Sequence, residues 1–367
     1  MINFKEIMEK EKLFNRLKEY MELEAMSRYE EPVVEALRKN ISKGFVSSRD
    51  GLGSLILKHE KSKSNSPRIM VAAHMDEVGY TLREVETNGQ VRLSAVGGIW
   101  PTVVIGTKAK LYVNATGKTY DGVFGHTSIH IMDPAKFKEA IQTNDLYADF
   151  GFESKEKAEQ LQVSAGDRVY LSGQTIRLHD PNLVGGKAMD NRAGVTVLDY
   201  IAQHIQNVDL PNETFLVGTV QEEVGLRGAK ASVGIVEPDI AIALDTCASH
   251  DTLGAKQGIQ KLGNGAALRI QDQGTMMDPK LVEFIFALAK KHNIPAYKYV
   301  AQGGGTDAGE LQFGKKGVAT ITISIPQRYL HSPIGVASLV DLKACGDLIV
   351  EFLKSFDKEA FEKMKYK

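Results

Sequence analysis

The sequence predicts an α/β fold: a doubly wound mixed sheet flanked by helices, with a small β-rich, barrel-like domain inserted into it. Three observations carry this. Short apolar runs of strand length alternate with segments whose apolar residues recur at helical spacing. The runs also hand over to ionisable residues at their exits: RIMVAA stops at His74, TFLVGTV at Gln221-Glu222-Glu223, DIAIAL at Asp245, and VATITISI leads within a few residues to His331. Between roughly Tyr80 and Ser172 the texture changes to alternating Gly, Thr and Val, which is strand-like. The expected division is therefore a discontinuous α/β domain, 1–79 and 173–367, around an insertion at 80–172.

In chain order, Leu13, Leu17 and Met21 mark a first helix, and Val33, Val34 and Leu37 a second whose first turn holds Pro32. KHEKSKSNS, from Lys58 to Ser66, reads as a solvated loop. RIMVAA is apolar throughout, as a strand buried on both faces of a sheet requires. Within the insertion, Asn114-Ala-Thr-Gly-Lys118 reads as a hairpin turn. The α/β texture resumes after Asp190, at a helix start, with Val197, Leu198, Ile201 and Ile205 on one helical face. Asp278-Pro279 opens a further helix, and Ser338 with Asp341 has nearly the spacing of a capping box before the last long one.

Composition narrows the function. Forty-five Lys and Arg face 46 Asp and Glu, a formal net charge of -1, with no long single-sign block to hold nucleic acid or a membrane surface. The first twenty residues are charged throughout, and no apolar run is long enough to span a bilayer, so the expected location is the cytoplasm. Cys247 and Cys345 are the only cysteines, which excludes a disulfide framework and a cysteine-based zinc knuckle. A metal site must use imidazoles and carboxylates.

His74, Asp190, Glu223, Asp245 and His331 supply such a set. Ligands of open α/β sheets bind beyond the carboxyl ends of strands, and mixed nitrogen and oxygen donors suit zinc or cobalt better than magnesium or calcium. Five ligands suffice for two divalent ions if one carboxylate bridges, and such a pair activates a water for attack on a carbonyl. Adjacent Glu222 and Glu223 can divide labour, one on a metal and one on the water. Asp76, two residues past His74, can accept the second imidazole N–H and fix its tautomer. Singly, each has a plainer reading: Asp190 as a helix N-cap, Glu222-Glu223 as a solvated pair, Gly303-Gly304-Gly305-Thr306-Asp307 as a turn. The coincidence at several strand exits carries the case.

The segments AHMDEVG (from Ala73), GGKAMDNRAG (from Gly185), QEEVGLRGA (from Gln221), ALDT (from Ala243), GGGTDAG (from Gly303) and YLHSP (from Tyr329) resemble, in order and spacing, the glutamyl aminopeptidase family of tetrahedral metallo-aminopeptidases. The resemblance implies that Asp190 bridges two ions, that His74 and Asp245 complete one site and Glu223 and His331 the other, and that Glu222 is the general base and acid. It implies two divalent ions per subunit, zinc or cobalt with manganese as a further candidate. It also implies short peptide substrates, an acidic preference at the family level, a dimerisation role for the insertion, and homo-oligomers that reach a tetrahedral dodecamer. The bridging aspartate is expected to precede a cis peptide, here to Asn191. The sequence departs from the family where GVFGHTSIHI replaces a Pro-Pro-His segment, leaving the parts of His126 and His130 open. Arg328, Thr306 and Asp307 are further residues placed near the pocket or its ligands. Arg227, Lys256 and Lys261 are candidate cations for an acidic side chain, and Cys247 is a small buried neighbour of Asp245. The rival readings are a related two-metal deacylase or carboxypeptidase, a non-catalytic assembly protein of the same fold, and a glycan hydrolase, whose two sugar-flanking carboxylates match this residue set poorly.

Overall fold

In a computed structural model, residues 4–314 and 316–366 are described. A mixed eleven-stranded sheet forms the centre. Its middle is parallel: Glu213–Thr219, Arg68–His74, Ile240–Ala248 and Ala319–Arg328 lie side by side in that order. Antiparallel strands extend both sides, Leu55–His59 and Phe45–Arg49 beyond Glu213–Thr219, and Gly335–Ser338, Leu183–Gly186 and Ile176–Arg177 beyond Ala319–Arg328. Ala266–Gln271 and Ala296–Val300 branch from Ala319–Arg328.

Helices cover the sheet and make its central strands apolar on both faces. Phe4–Met21, Met189–Ile205, Pro279–Lys291 and Leu339–Ser355 form one packed layer, while Arg227–Val236 and Ala308–Leu311 pack together as another. The expected helical apolar residues, Leu13, Leu17, Met21, Val33, Val34, Leu37, Val197, Leu198, Ile201 and Ile205, are all buried in one continuous core. Among the described residues, no helix is long and apolar enough to cross a membrane.

Between Gly79 and Leu171 the chain forms a closed, wholly antiparallel barrel, in the order Gly79–Val85, Val91–Val96, Tyr147–Asp149, Thr119–Gly125, Lys108–Tyr112, Arg168–Leu171. Closure removes the exposed edges of a small sheet and encloses Tyr80, Leu82, Leu93, Leu111, Phe124 and Val169. The predicted hairpin turn joins Lys108–Tyr112 to Thr119–Gly125, with Gly117 at φ 70 and its N–H on the Val113 carbonyl. That positive φ is the reason for glycine there.

Three local expectations are corrected. Lys58 and His59 belong to the strand Leu55–His59, and His59 is buried. Asp245 lies inside Ile240–Ala248 and not at its end, because pairing with Ala319–Arg328 continues through Ala248 opposite Gln327. Ser338 does cap Leu339–Ser355 by accepting from Val340 N–H, but Asp341 forms no capping box: its buried carboxylate accepts from Gly263 and Gly265 N–H at 2.8 and 2.7 Å. Two loop amides, that of Gly265 buried, take up that carboxylate in place of the helix end.

One feature of register positions the site. Arg68–His74 pairs with Ile240–Ala248 only as far as Ala72 opposite Ala243, while it stays paired on its other side through His74 opposite Thr219. The two parallel strands therefore part where His74 and Asp245 stand, and the crevice opens there.

Candidate metal centre

His74, Asp190, Glu222, Glu223, Asp245 and His331 line one cavity of about 550 Å³. They arrive from five different local structures, Glu222 and Glu223 sharing one turn. His74 ends its strand and is almost fully buried. Its Nε2 faces Asp190 Oδ1 at 3.2 Å and Asp245 Oδ1 at 3.7 Å. Nδ1, on the opposite side of the ring, faces Asp76, 3.3 Å from its Oδ1 and 3.2 Å from its backbone carbonyl. Donation from Nδ1 to Asp76 leaves Nε2 with its lone pair toward the cavity.

Asp190 is not the helix cap. It has non-helical φ -80 and ψ 110, its peptide bond to Asn191 is cis, and Asn191 does the capping, its Oδ1 accepting from Gly194 N–H at 2.9 Å. Asn191 Nδ2 donates to the Leu244 carbonyl, tying the helix start to the strand that carries Asp245. The Asp190 carboxylate is thereby free for both imidazoles: Oδ1 faces His74 and Oδ2 lies 3.3 Å from His331 Nε2. Burial alone would raise its pKa, but hydrogen bonds from His331 and His74 hold it well below the usual carboxylate range.

Glu222 and Glu223 sit on the turn after Glu213–Thr219, with Gln221 at φ 55 and Leu226 at φ 55. Asp76 fixes this turn, accepting from Glu222 N–H at 3.0 Å and Glu223 N–H at 3.2 Å, and it also accepts from Ser27 Oγ at 2.6 Å. Glu223 Oε1 approaches His331 Nε2 at 3.4 Å. His331, at φ 51 in the loop after Ala319–Arg328, donates from Nδ1 to the Gly98 carbonyl at 2.5 Å. Gly98 comes from the barrel, so the insertion holds one of the two imidazoles.

The donor set fits a pair of cations. Ligand atoms of His74, Asp190 and Glu223 lie within 4.8 Å of one another, as do those of His74, Glu222 and Asp245. Glu223 Oε1 is buried without a hydrogen bond, a costly state for a carboxylate unless a cation meets it. Burial and the neighbouring Asp190 push Glu223 up to about 8, and burial pushes Glu222 well up and Asp245 up. Burial opposes charge on His331, yet Asp190 and Glu223 raise it to about 10. Four carboxyl groups stand against two imidazoles, and divalent ions held there would favour the ionised form of each carboxyl.

The remaining candidates separate. Asp307 is buried beneath the site, accepting from Thr219 Oγ1 at 2.5 Å, and Thr306 pairs with Thr322. Arg328 grips Asp251 at 3.1 and 2.7 Å and does not line the cavity. Arg227, Lys256 and Lys261 are exposed and outside the cavity. His126 and His130 are exposed on the barrel, away from the six cavity residues. Cys247 lines the cavity, but burial pushes its thiol up to about 12. Sequence reasoning missed Gly98, Ser27 and Arg269. Gly97-Gly98 held the one available signal: Gly97 is at φ 79, and a Cβ there would lie 2.7 Å from Val78 Cγ1 and 3.3 Å from Glu223 Oε2.

Residues 53–348 match the family described as M42 glutamyl aminopeptidase. The glutamyl aminopeptidase of Lactococcus lactis is 32% identical over 355 residues, covering 96% of this chain and 99% of that protein. Among solved structures, a TET aminopeptidase from a marine-sediment Thaumarchaeota archaeon is 30% identical with a TM-score of 0.91, covering 96% of this chain and 100% of that one. The Pyrococcus horikoshii TET1 peptidase, which can assemble into a tetrahedron or a large octahedral shell, is 29% identical with a TM-score of 0.84, covering 94% and 100%.

Proposed function

The chain belongs to the M42 glutamyl aminopeptidase family and is an aminopeptidase, and from that premise we propose that it cleaves N-terminal residues from short peptides at this cavity with two divalent ions. Asp190 would be shared between the ions, His74 and Asp245 completing one site and Glu223 and His331 the other. The observation that carries this is the Asp190 carboxylate, whose two oxygens face two different imidazoles at 3.2 and 3.3 Å. The mixed donors favour zinc or cobalt, with manganese next.

An ion pair bound there supplies Lewis acidity for the scissile carbonyl and a water of lowered pKa. The chain's own residues do the rest. Glu222 takes the proton from the attacking water and returns it to the leaving amine. Asp76 aims it, holding the Glu222 backbone and the His74 ring with one carboxylate. Substitution Glu222→Gln is the test: metal content by elemental analysis stays that of the parent, and kcat on aminoacyl nitroanilides falls by about 10²–10⁴-fold. Unchanged turnover would overturn the assignment. An N-acetylated substrate serves as control, since its efficient hydrolysis would favour a deacylase.

The same reading extends to assembly and place. We take 1–79 and 173–367 as the catalytic domain and 80–172 as a dimerisation domain. Supporting this, the barrel exposes Trp100, Ile129 and Ile131 at 63%, 61% and 81%, apolar side chains of the kind interfaces cover. Subunits would build from dimers toward a dodecamer, as the Pyrococcus horikoshii relative forms shells; light scattering reads the mass. Two buried free thiols, Cys247 and Cys345, fit a reducing compartment, and we place the enzyme in the cytoplasm.

A further inference from the structure

Which N-terminal side chain an aminopeptidase removes depends on what its cavity offers that side chain. Apart from the proposed metal cluster and Arg269, the described walls here are neutral: Gly98, Leu226, Thr246, Cys247, Ala248, Leu330 and the run from Gly303 to Gly305. Every carboxylate and imidazole lining the cavity belongs to the cluster, and Arg269 is the one other charged lining residue.

Arg269 is already committed. Its Nε donates to Tyr299 Oη at 2.7 Å, Nη1 to Asp272 at 3.2 Å and Nη2 to the Thr246 carbonyl at 3.2 Å. It is 5% exposed, and Asp272 balances its charge. The walls therefore hold neither a free cation for an acidic side chain nor a free carboxylate for a basic one. A charged side chain brought into such a site loses hydration without a partner.

The glycine side bears on size. A Cβ added at Gly303, Gly304 or Gly305 would meet nothing within 4 Å, and only Gly304 has a positive φ, at 75. All three glycines are exposed, so this side of the cavity is open and sets no close limit on side-chain size, whereas a side chain at Gly303 or Gly305 would narrow it.

We propose that the cavity selects bulky, neutral, mainly apolar N-terminal residues and discriminates against acidic and basic ones, the open side at Gly303 and Gly305 admitting their bulk. The selection rests on the placement of the active site at this cavity. Arg269 lines the pocket with its donors already taken and does not pair with substrate.

The test is a panel of leucyl, methionyl, alanyl, glutamyl and lysyl nitroanilides with the metal-loaded full chain. The expected kcat/KM for leucyl and methionyl exceeds that for glutamyl and lysyl by at least about ten-fold. Substitution Gly305→Leu then lowers kcat/KM for leucyl relative to alanyl by about ten-fold, mainly through KM, and Gly303→Val repeats the measurement should the first variant not fold. A glutamyl or lysyl optimum overturns the proposal, and so does a leucyl-to-alanyl ratio that neither glycine substitution moves. Failure of the site itself looks different: Glu222→Gln would keep its turnover, whereas a wrong specificity leaves that variant inactive and merely reorders the panel.

Discussion

At the scale of single residues, Asp76 holds the most with the least. Wholly buried, it meets the His74 ring, the Ser27 hydroxyl and the amides of Glu222 and Glu223. Burial works against its charge, but the His74 contact keeps its pKa below the usual range. Substitution Asp76→Asn keeps the volume, removes the charge and turns one acceptor into a donor facing donors. Metal titrated into the apoprotein should then bind about 10–100-fold more weakly, and parental affinity in that variant would remove Asp76 from the arrangement. The His-Met-Asp spacing made its contact with His74 legible in the sequence. Its grip on a turn some 146 residues later was not, because only the fold brings those amides to it. Gly98 was hidden for another reason: it serves His331 through a carbonyl, which every residue possesses, so residue type carried almost no signal.

Elements were more legible than their contacts. Helical spacing and caps located the long helices, and Asp278 does cap Pro279–Lys291 by accepting from Leu281 N–H at 2.9 Å. Apolar runs located the central strands, but a run of buried residues does not mark where pairing stops, so Asp245 reads as an exit while the strand continues to Ala248. Asp341 shows the same limit, since its partners Gly263 and Gly265 lie on a distant loop. Burial raises this carboxyl to about 7 against the two amides that lower it. A carboxyl raised on folding binds its proton more tightly in the native state, so its contribution is largest below the unfolded pKa of about 4 and is lost as pH rises through 7. The thermal midpoint of Asp341→Asn should therefore vary less than the parent's between pH 5 and 8. Parallel profiles for the two proteins would count against this role.

For the whole molecule, the cavity is a joint between three bodies: the sheet supplies His74 and Asp245, the start of a helix supplies Asp190, and a loop braced by the barrel supplies His331. Each body was foreseeable from texture and periodicity. Coincident strand exits pointed to their meeting, and six motifs in order that matched a known family made it specific, since neither period nor composition encodes that a barrel loop reaches a sheet crevice. Ions held at such a joint bind the native state and not the unfolded chain, whose ligands are scattered over more than 250 residues. At a free concentration one hundred times its Kd, each ion adds about 2.7 kcal/mol of stability. Chelation should thus lower the thermal midpoint as well as abolish turnover, and added zinc or cobalt should restore both. Because the proposal has Glu222 act on the water and not hold metal, Glu222→Gln should show the same metal-dependent midpoint while remaining inactive. A midpoint indifferent to chelator in both proteins would mean that the cluster joins these bodies without ions, its carboxyl groups held by protons and imidazoles alone.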